Sequence, residues 1–301
     1  MINLAGAAAA FSAAILWALS ALLFEYASKK VSSARLNFYK GAIAIVLLAV
    51  TSLILGEGIP ETNRVEILVL AGSGVIGIAL GDTMYFQAVN RIGGRRALTM
   101  FTLAPPITAL IALLFLGEQL ALITWMGILV TVGGVMWVVT EGSGREKIVI
   151  NKEDMLPGIL FGVLSAVGQA TGMVMTRSVL TQTELTTLQS TILRLAPALV
   201  MLILTIRIQE RGRKKPPAQG RDRKLIGTVL LSSIIGAYIC LWLQQITIEN
   251  LPAGIAQTLL STSPIFILPM SALRGESVSP RAIAGAVLSI LGITMVFGIF
   301  G

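Results

Sequence analysis

The sequence predicts an all-α integral membrane protein: ten transmembrane helices forming two inverted five-helix repeats around a central cavity. Three observations predict it. Only 13% of the 301 residues are charged while 55% are hydrophobic, against roughly 25% charged in a soluble domain, whose surface must meet water. Ten apolar stretches reach the ~20 residues that a bilayer core about 30 Å thick requires. Lys and Arg gather in alternate gaps between these stretches, and the alternation reverses halfway along the chain.

The first repeat, 4–141, opens with Leu4 to Phe24. No charged segment precedes it and no small-residue cleavage site follows before Glu25, so it reads as a span rather than a signal peptide. Leu36 to Leu55 follows with Lys40 inside it, then Ile67 to Val89 with Asp82, Ala97 to Leu116, and Leu120 to Thr140. The second repeat, 155–301, runs Met155 to Thr176, Leu185 to Ile206 with Arg194, Leu225 to Ile248, Leu251 to Leu273, and Ala282 to Gly301. These runs are about twice the length of a barrel strand and do not alternate in polarity, so helices are expected. Interior Pro and Gly such as Pro105, Pro106, Pro264 and Gly134 are tolerated in such helices.

Along the nine gaps, with Lys40 counted in the first, Lys plus Arg number 4, 1, 3, 0, 3, 1, 8, 0 and 2. Odd gaps hold 20 and even gaps 2. The positive-inside rule then places every odd gap in the cytoplasm and both termini outside. Within the first five helices the counts read 4, 1, 3, 0, and within the last five 1, 8, 0, 2. Heavy and light positions are exchanged, as two five-helix units inserted in opposite orientations require. Matching residues support the repeat. An offset of 158 pairs Gln87 with Gln245, Pro106 with Pro264, Gly117-Glu118 with Gly275-Glu276, Gly127 with Gly285 and Gly134 with Gly292. An offset of 154 pairs Lys40 with Arg194. The basic segment Arg207 to Lys224 reads as a surface insertion that meets anionic lipid.

Composition removes several function classes. With no His and a single Cys, Cys240, most zinc sites and His-activated nucleophiles are absent. The net charge of +8 lies in short gaps and not on an aromatic-studded face, so it does not point to nucleic acid. No metal and no cofactor are expected, and no phosphate-binding G-x-x-x-x-G-K-[ST] loop occurs.

Charges inside a membrane are costly and usually face a cavity or a partner. Arg194, about ten residues into its helix if that helix starts near Thr183 or Glu184, would lie about 15 Å deep. It is either a substrate contact or a structural partner of Asp82 or Glu25. Lys40, its repeat equivalent, would lie about 11 Å deep, where its stem can also snorkel outward. Asp82 and Glu25 are proton-coupling candidates, with a fixed ion pair or hydrogen bond as the plainer role for Asp82. Gln87, Gln245, Gln169, Gln244, Trp17 and Trp242 can line a cavity or serve helix packing. Glu118 and Glu276 suggest a turn or cap, and Gly77-xxx-Gly81 and Gly168-xxx-Gly172 suggest close helix packing.

The run Gly81-Asp82-Thr83-Met84-Tyr85-Phe86-Gln87-Ala88, with Ile92-Gly93-Gly94, Leu103-Ala104-Pro105-Pro106 and Leu116-Gly117-Glu118, carries a resemblance. So do Asn250-Leu251-Pro252-Ala253-Gly254, Ser263-Pro264 and Arg274-Gly275-Glu276 in the second half. Over nearly the whole chain the sequence resembles EamA-type members of the drug/metabolite transporter superfamily. The resemblance implies a ten-helix fold with a central cavity that works by alternating access. Its members export amino acids or carry sugars, nucleotide sugars or drugs. Many carry cytoplasmic basic termini, whereas the termini here are uncharged.

The expected function is secondary transport, as an exporter in the plasma membrane, of small metabolites such as amino acids or other carboxylates. Arg194, Lys40, Gln245, Gln87 and Trp17 are the expected substrate contacts. Efflux of cationic drug-like compounds is the alternative, resting on Asp82 and Glu25, and a membrane-embedded enzyme is a remote one. One chain suffices to enclose a cavity, and a dimer is compatible with the fold.

Overall fold

The computed structural model describes residues 3–28, 30–31, 33–58, 62–141, 152–210, 222–273 and 278–297. The first repeat comprises α1 (Leu4–Ser28), α2 (Ser33–Ile54), α3 (Arg64–Ile92), a broken α4 (Gly94–Phe101, then Ala104–Leu116) and α5 (Leu122–Glu141). The second comprises α6 (Lys152–Leu180), α7 (Thr187–Glu210), α8 (Arg223–Asn250), a broken α9 (Ala253–Leu260, then Ser263–Leu273) and α10 (Pro280–Val296). Among the described residues nine helices are long and apolar enough to cross a membrane, and α10 is shorter. The expected tenth span continues to Gly301, and its last residues lie outside the described ones.

Local chemistry sets the boundaries. Asn63 and Glu66 form a reciprocal capping box that starts α3. Gly93, at φ 83°, makes the one-residue turn into α4, and Gly117, at φ 67°, ends α4 in the left-handed region that favours glycine. Asp222 and Ser279 cap α8 and α10 through the backbone N–H groups of Leu225 and Ala282, each at 3.1 Å.

Two irregularities recur in both repeats. In α3 the segment Val75–Leu80, and in α8 the segment Ile234–Ile239, widen into π-helical turns, such as the bond from Gly81 N–H to Ile76 O five residues back. Both α4 and α9 break after eight residues. Thr102 and Thr262 bond their hydroxyls to carbonyls three residues back, at 2.6 Å each. Pro105 and Pro264, which have no N–H to donate, then open the second segment.

These boundaries fix the equivalence of the repeats. Ser28 and Leu180 end their helices 152 apart, and Ser33 and Thr187 begin theirs 154 apart. Val75 and Ile234, Gly94 and Ala253, and Ala104 and Ser263 are each 159 apart, whereas Leu122 and Pro280 are 158 apart. The 158 read from paired Gly and Pro therefore holds for α5 and α10 and shifts by one over α3–α4 and α8–α9. The first repeat carries one residue more between its α4 break and α5. Consequently Gln245 is the equivalent of Phe86, not of Gln87.

Inversion of the repeats is visible where α5 meets α10. A Cβ on Gly127 would stand 2.7 Å from Gly292 O, and one on Gly134 2.6 Å from Gly285 O. Between them the Ser289 hydroxyl donates to Thr131 O at 3.3 Å and the Thr131 hydroxyl lies 3.5 Å from Ser289 O. Contacts that climb α5 descend α10, so the two helices run antiparallel. Each glycine meets the equivalent of the other, the self-complementary pattern of a two-fold axis.

The outer surface is apolar. Leu53, Ile54, Leu114, Phe115, Leu122 and Ile208 are each more than half exposed, a load of apolar surface that water does not support and lipid does.

Candidate functional site

Between the repeats lies a cavity of about 370 Å³, within the range of small-molecule sites. Lys40, Asp82, Arg194 and Trp17 all line it. Gln87 and Gln245 are not among its lining residues. Glu25 has a side chain outside the described residues, as do Glu276 and most of the Arg207 to Lys224 segment.

The lining follows the repeat symmetry. Asp82 and Leu241, Tyr85 and Gln244, Leu98 and Gln257, Phe101 and Leu260, and Thr102 and Ser261 are each 159 apart, and all ten face the cavity. Lys40 and Arg194 add the pair at 154. Both broken helices and both π segments, through Ile78 and Gly236, thus contribute to one site. Such breaks are where a membrane helix can present polar groups, because an irregular backbone is tolerated only against a cavity or protein.

Arg194 is only 4% exposed. The helix starts at Thr187, so Arg194 sits seven residues in, about 10 Å along the helix rather than the expected 15 Å. Its Nε donates to Ser73 Oγ at 2.9 Å, and Ser73 also accepts from Thr176 Oγ1 at 3.2 Å while donating to Leu70 O at 2.7 Å. Gly74 makes room for this seat, since a Cβ there would meet the Arg194 carbonyl oxygen at 1.9 Å. Arg194 Nη1 has no hydrogen-bond partner, and among the described residues no carboxylate forms an ion pair with it. The alternative of a structural pair with Asp82 is therefore not what the structure shows.

Asp82 is held differently. Its Oδ2 accepts from Asn37 Nδ2 at 3.1 Å, and Lys40 lines the same cavity. Trp17 donates its indole N–H to Gly236 O in the π segment of α8 at 3.1 Å. Tyr85 packs edge-on against Phe101 with ring centroids 5.5 Å apart. Trp242 instead bonds Thr187 Oγ1 at 3.0 Å and is not among the lining residues.

Gln169 and Gln244, read from the sequence as candidates, line the cavity; Asn37, Tyr85 and Gln257 were not anticipated. A signal for Gln257 was available, as the one amide in a run from Ala253 to Leu260 whose only other polar side chain is Thr258.

At the face opposite the basic gaps, a cross-repeat cluster seals the protein. Glu118, at the end of α4, accepts from Arg177 Nε of α6 through Oε1 and from Ala253 N through Oε2, the latter at 2.7 Å. Arg177 Nη1 also donates to Ile248 O and to Glu249 O. The carboxylate thus caps the start of α9 while the guanidinium caps the end of α8. The capping role expected of Glu118 is real, and the helix it caps belongs to the other repeat.

Residues 4–140 and 156–298 each match the EamA-like transporter family. The chain belongs to this family. A solved crystal structure resembles this EamA-like transporter with a TM-score of 0.80, covering 98% of this chain and 96% of its own, at 17% identity. That likeness concerns the fold alone. No curated protein matches the sequence significantly. The chain is therefore a multi-pass membrane transporter with two EamA repeats, and not an enzyme.

Proposed function

We propose that this EamA-like transporter is a secondary carrier that exports small carboxylates, amino acids among them, by alternating access. One observation carries the reading: a buried guanidinium in the cavity wall with a free Nη1 and no carboxylate ion-paired with it among the described residues. A buried charge of this kind is unfavourable by several kcal/mol unless an opposite charge meets it. A substrate carboxylate is that charge, and Arg offers it two parallel donors. Lys40, the equivalent in the first repeat, supplies the matching contact when the repeats exchange roles. Asp82, with Glu25, is the candidate for proton coupling. The loop charges, 20 against 2, support a cytoplasmic basic face in the plasma membrane.

A thermal-shift screen of the detergent-purified protein tests this, with amino acids, organic acids, sugars, nucleotides and cationic dyes applied to wild type and Arg194→Ala. The expected result is stabilisation by carboxylates, lost in the variant with roughly a hundredfold weaker binding, the size typical of a charged hydrogen bond left unmade. Stabilisation by cationic compounds alone, equal in both proteins, would overturn the reading and leave Asp82 as the group to replace.

A further inference from the structure

The two repeats line the cavity with different chemistry although the backbone repeats. At the two positions where the first repeat presents Leu98 and Tyr85, the second presents Gln257 and Gln244. Gln257 is 3% exposed and Gln244 4%. Gln257 Nε2 lies 3.4 Å from Ser261 Oγ, at the limit of a hydrogen bond, and its Oε1 has no partner. Gln244 lines the same cavity. A buried amide left unmet is unfavourable. The fold does not require one at this place, because the equivalent helix forms with Leu98 there. An unmet Gln257 Oε1, an unmet Arg194 Nη1 and the Gln244 amide therefore belong to the lining of one cavity, all supplied by the second repeat.

We propose that Gln257 and Gln244 form a specificity subsite beside Arg194 that reads a hydrogen-bond donor next to the substrate's carboxylate. The substrate class is then the 2-amino or 2-hydroxy acids rather than unsubstituted acids. This rests on the carboxylate reading of Arg194. The chemistry is directional: Gln257 Oε1 is an acceptor, so its partner is a donor, either an ammonium or a hydroxyl. Aromatic and aliphatic side chains of the first repeat, Tyr85, Phe101 and Leu98, face the remainder of the molecule. A site built to bond a polar group rejects the analogue that lacks it far more strongly than an apolar pocket rejects an extra group.

The test compares three ligands with one carbon chain: the 2-amino acid, the 2-hydroxy acid and the unsubstituted acid. Binding to the purified full-length protein is read by thermal shift and by fluorescence, with Trp17 in the cavity wall as a reporter. The variants are Gln257→Leu, which copies the equivalent position, Gln257→Glu and Arg194→Ala, and unliganded melting confirms that each is folded. Gln257→Leu is expected to weaken both substituted acids roughly tenfold or more and to leave the unsubstituted acid within about twofold. Gln257→Glu is expected to favour the amino over the hydroxy acid, because a carboxylate prefers an ammonium. Should Gln257→Leu weaken all three alike, or none, while Arg194→Ala abolishes binding, the subsite is refuted and the carboxylate reading stands. Should Arg194→Ala leave binding intact, the carboxylate reading fails and the subsite falls with it.

Discussion

The half-helices Gly94–Phe101 and Ala253–Leu260 occupy equivalent places in the two repeats, yet they are packed in opposite ways. All eight residues of Ala253–Leu260 are buried, whereas Ala97 alone is buried among the described side chains of Gly94–Phe101. Ala253–Leu260 packs on α1, α4, α5, α6 and α8, and Gly94–Phe101 chiefly on α3, α5 and α6. The cavity shows the same bias. Ser20, Ala21, Asn37 and Phe86 line it, while their equivalents Gly172, Met173, Thr191 and Gln245 are buried in helix packing. The half-helix on one face is packed all along its length, and its equivalent on the basic face is packed less closely. Exchange of these two arrangements is what a pair of inverted repeats needs in order to present one site alternately to each side.

The largest expected effect tests this contrast directly. With Cys240 replaced by alanine, Arg96→Cys and Ile255→Cys place a thiol two residues into each half-helix. Alkylation by a water-soluble reagent is expected to be roughly a hundredfold faster at position 96, since a packed segment reacts only when it opens. Equal rates would mean that the two faces do not differ. Removing the seal sharpens the comparison. Glu118→Ala leaves Arg177, now 13% exposed at its side chain, without its carboxylate, a loss of about 3 kcal/mol for a partly buried pair. Labelling at position 255 should then rise by ten- to a hundredfold while position 96 changes little. If it does not rise, the cluster is an ordinary cap.

A smaller effect is expected at the axis between the repeats. Gly134→Ala puts a methyl group 2.4 Å from Ser289 Oγ and 2.6 Å from Gly285 O, which costs roughly 1–3 kcal/mol when neighbours cannot yield. Gly133→Ala meets nothing within 4 Å and should be neutral or gain a few tenths of a kcal/mol from helix propensity. Melting temperatures of the two variants in one detergent decide it, and similar values would disprove the close crossing.

The smallest effect lies on the basic face, where Lys30 Nζ meets Asp222 Oδ2 at 2.5 Å. The hydrogen bond from Lys30 holds the Asp222 carboxyl below its ordinary range, helped by the Leu225 N–H. A depressed carboxyl stabilises the fold above its unfolded pKa, near 3.9, and loses that contribution as pH falls through the folded value. Wild type and Asp222→Asn should therefore differ slightly in melting at pH 7, begin to converge as pH falls below about 4, and meet only once pH is below the depressed folded value. A difference that persists at low pH would assign the effect to packing instead.

Much of this arrangement was legible in the sequence, because hydropathy and loop charge are themselves the forces that insert and orient helices. Apolar runs gave the spans within a few residues, and exchange of heavy and light gaps indicated two inverted repeats, with which the antiparallel meeting of α5 and α10 agrees. Lys40, Asp82 and Arg194 stood out, since a charge in lipid needs an explanation. The breaks in α4 and α9 did not, because the prolines that mark them are also tolerated in unbroken membrane helices. Arg194 lies nearer the start of its helix than expected because α7 starts at Thr187. The Gln residues were harder still: an amide on a membrane helix reads alike whether it bonds a neighbouring helix or a ligand. Only packing separates Gln245, buried between helices, from Gln244 on the cavity wall.

The π-helical turns bear on history. Such a turn is rare in any helix, yet α3 and α8 carry theirs at equivalent places. A shared irregularity of that rarity is what duplication of one five-helix unit would leave in both halves, while Leu98 and Gln257 mark where the two halves now differ.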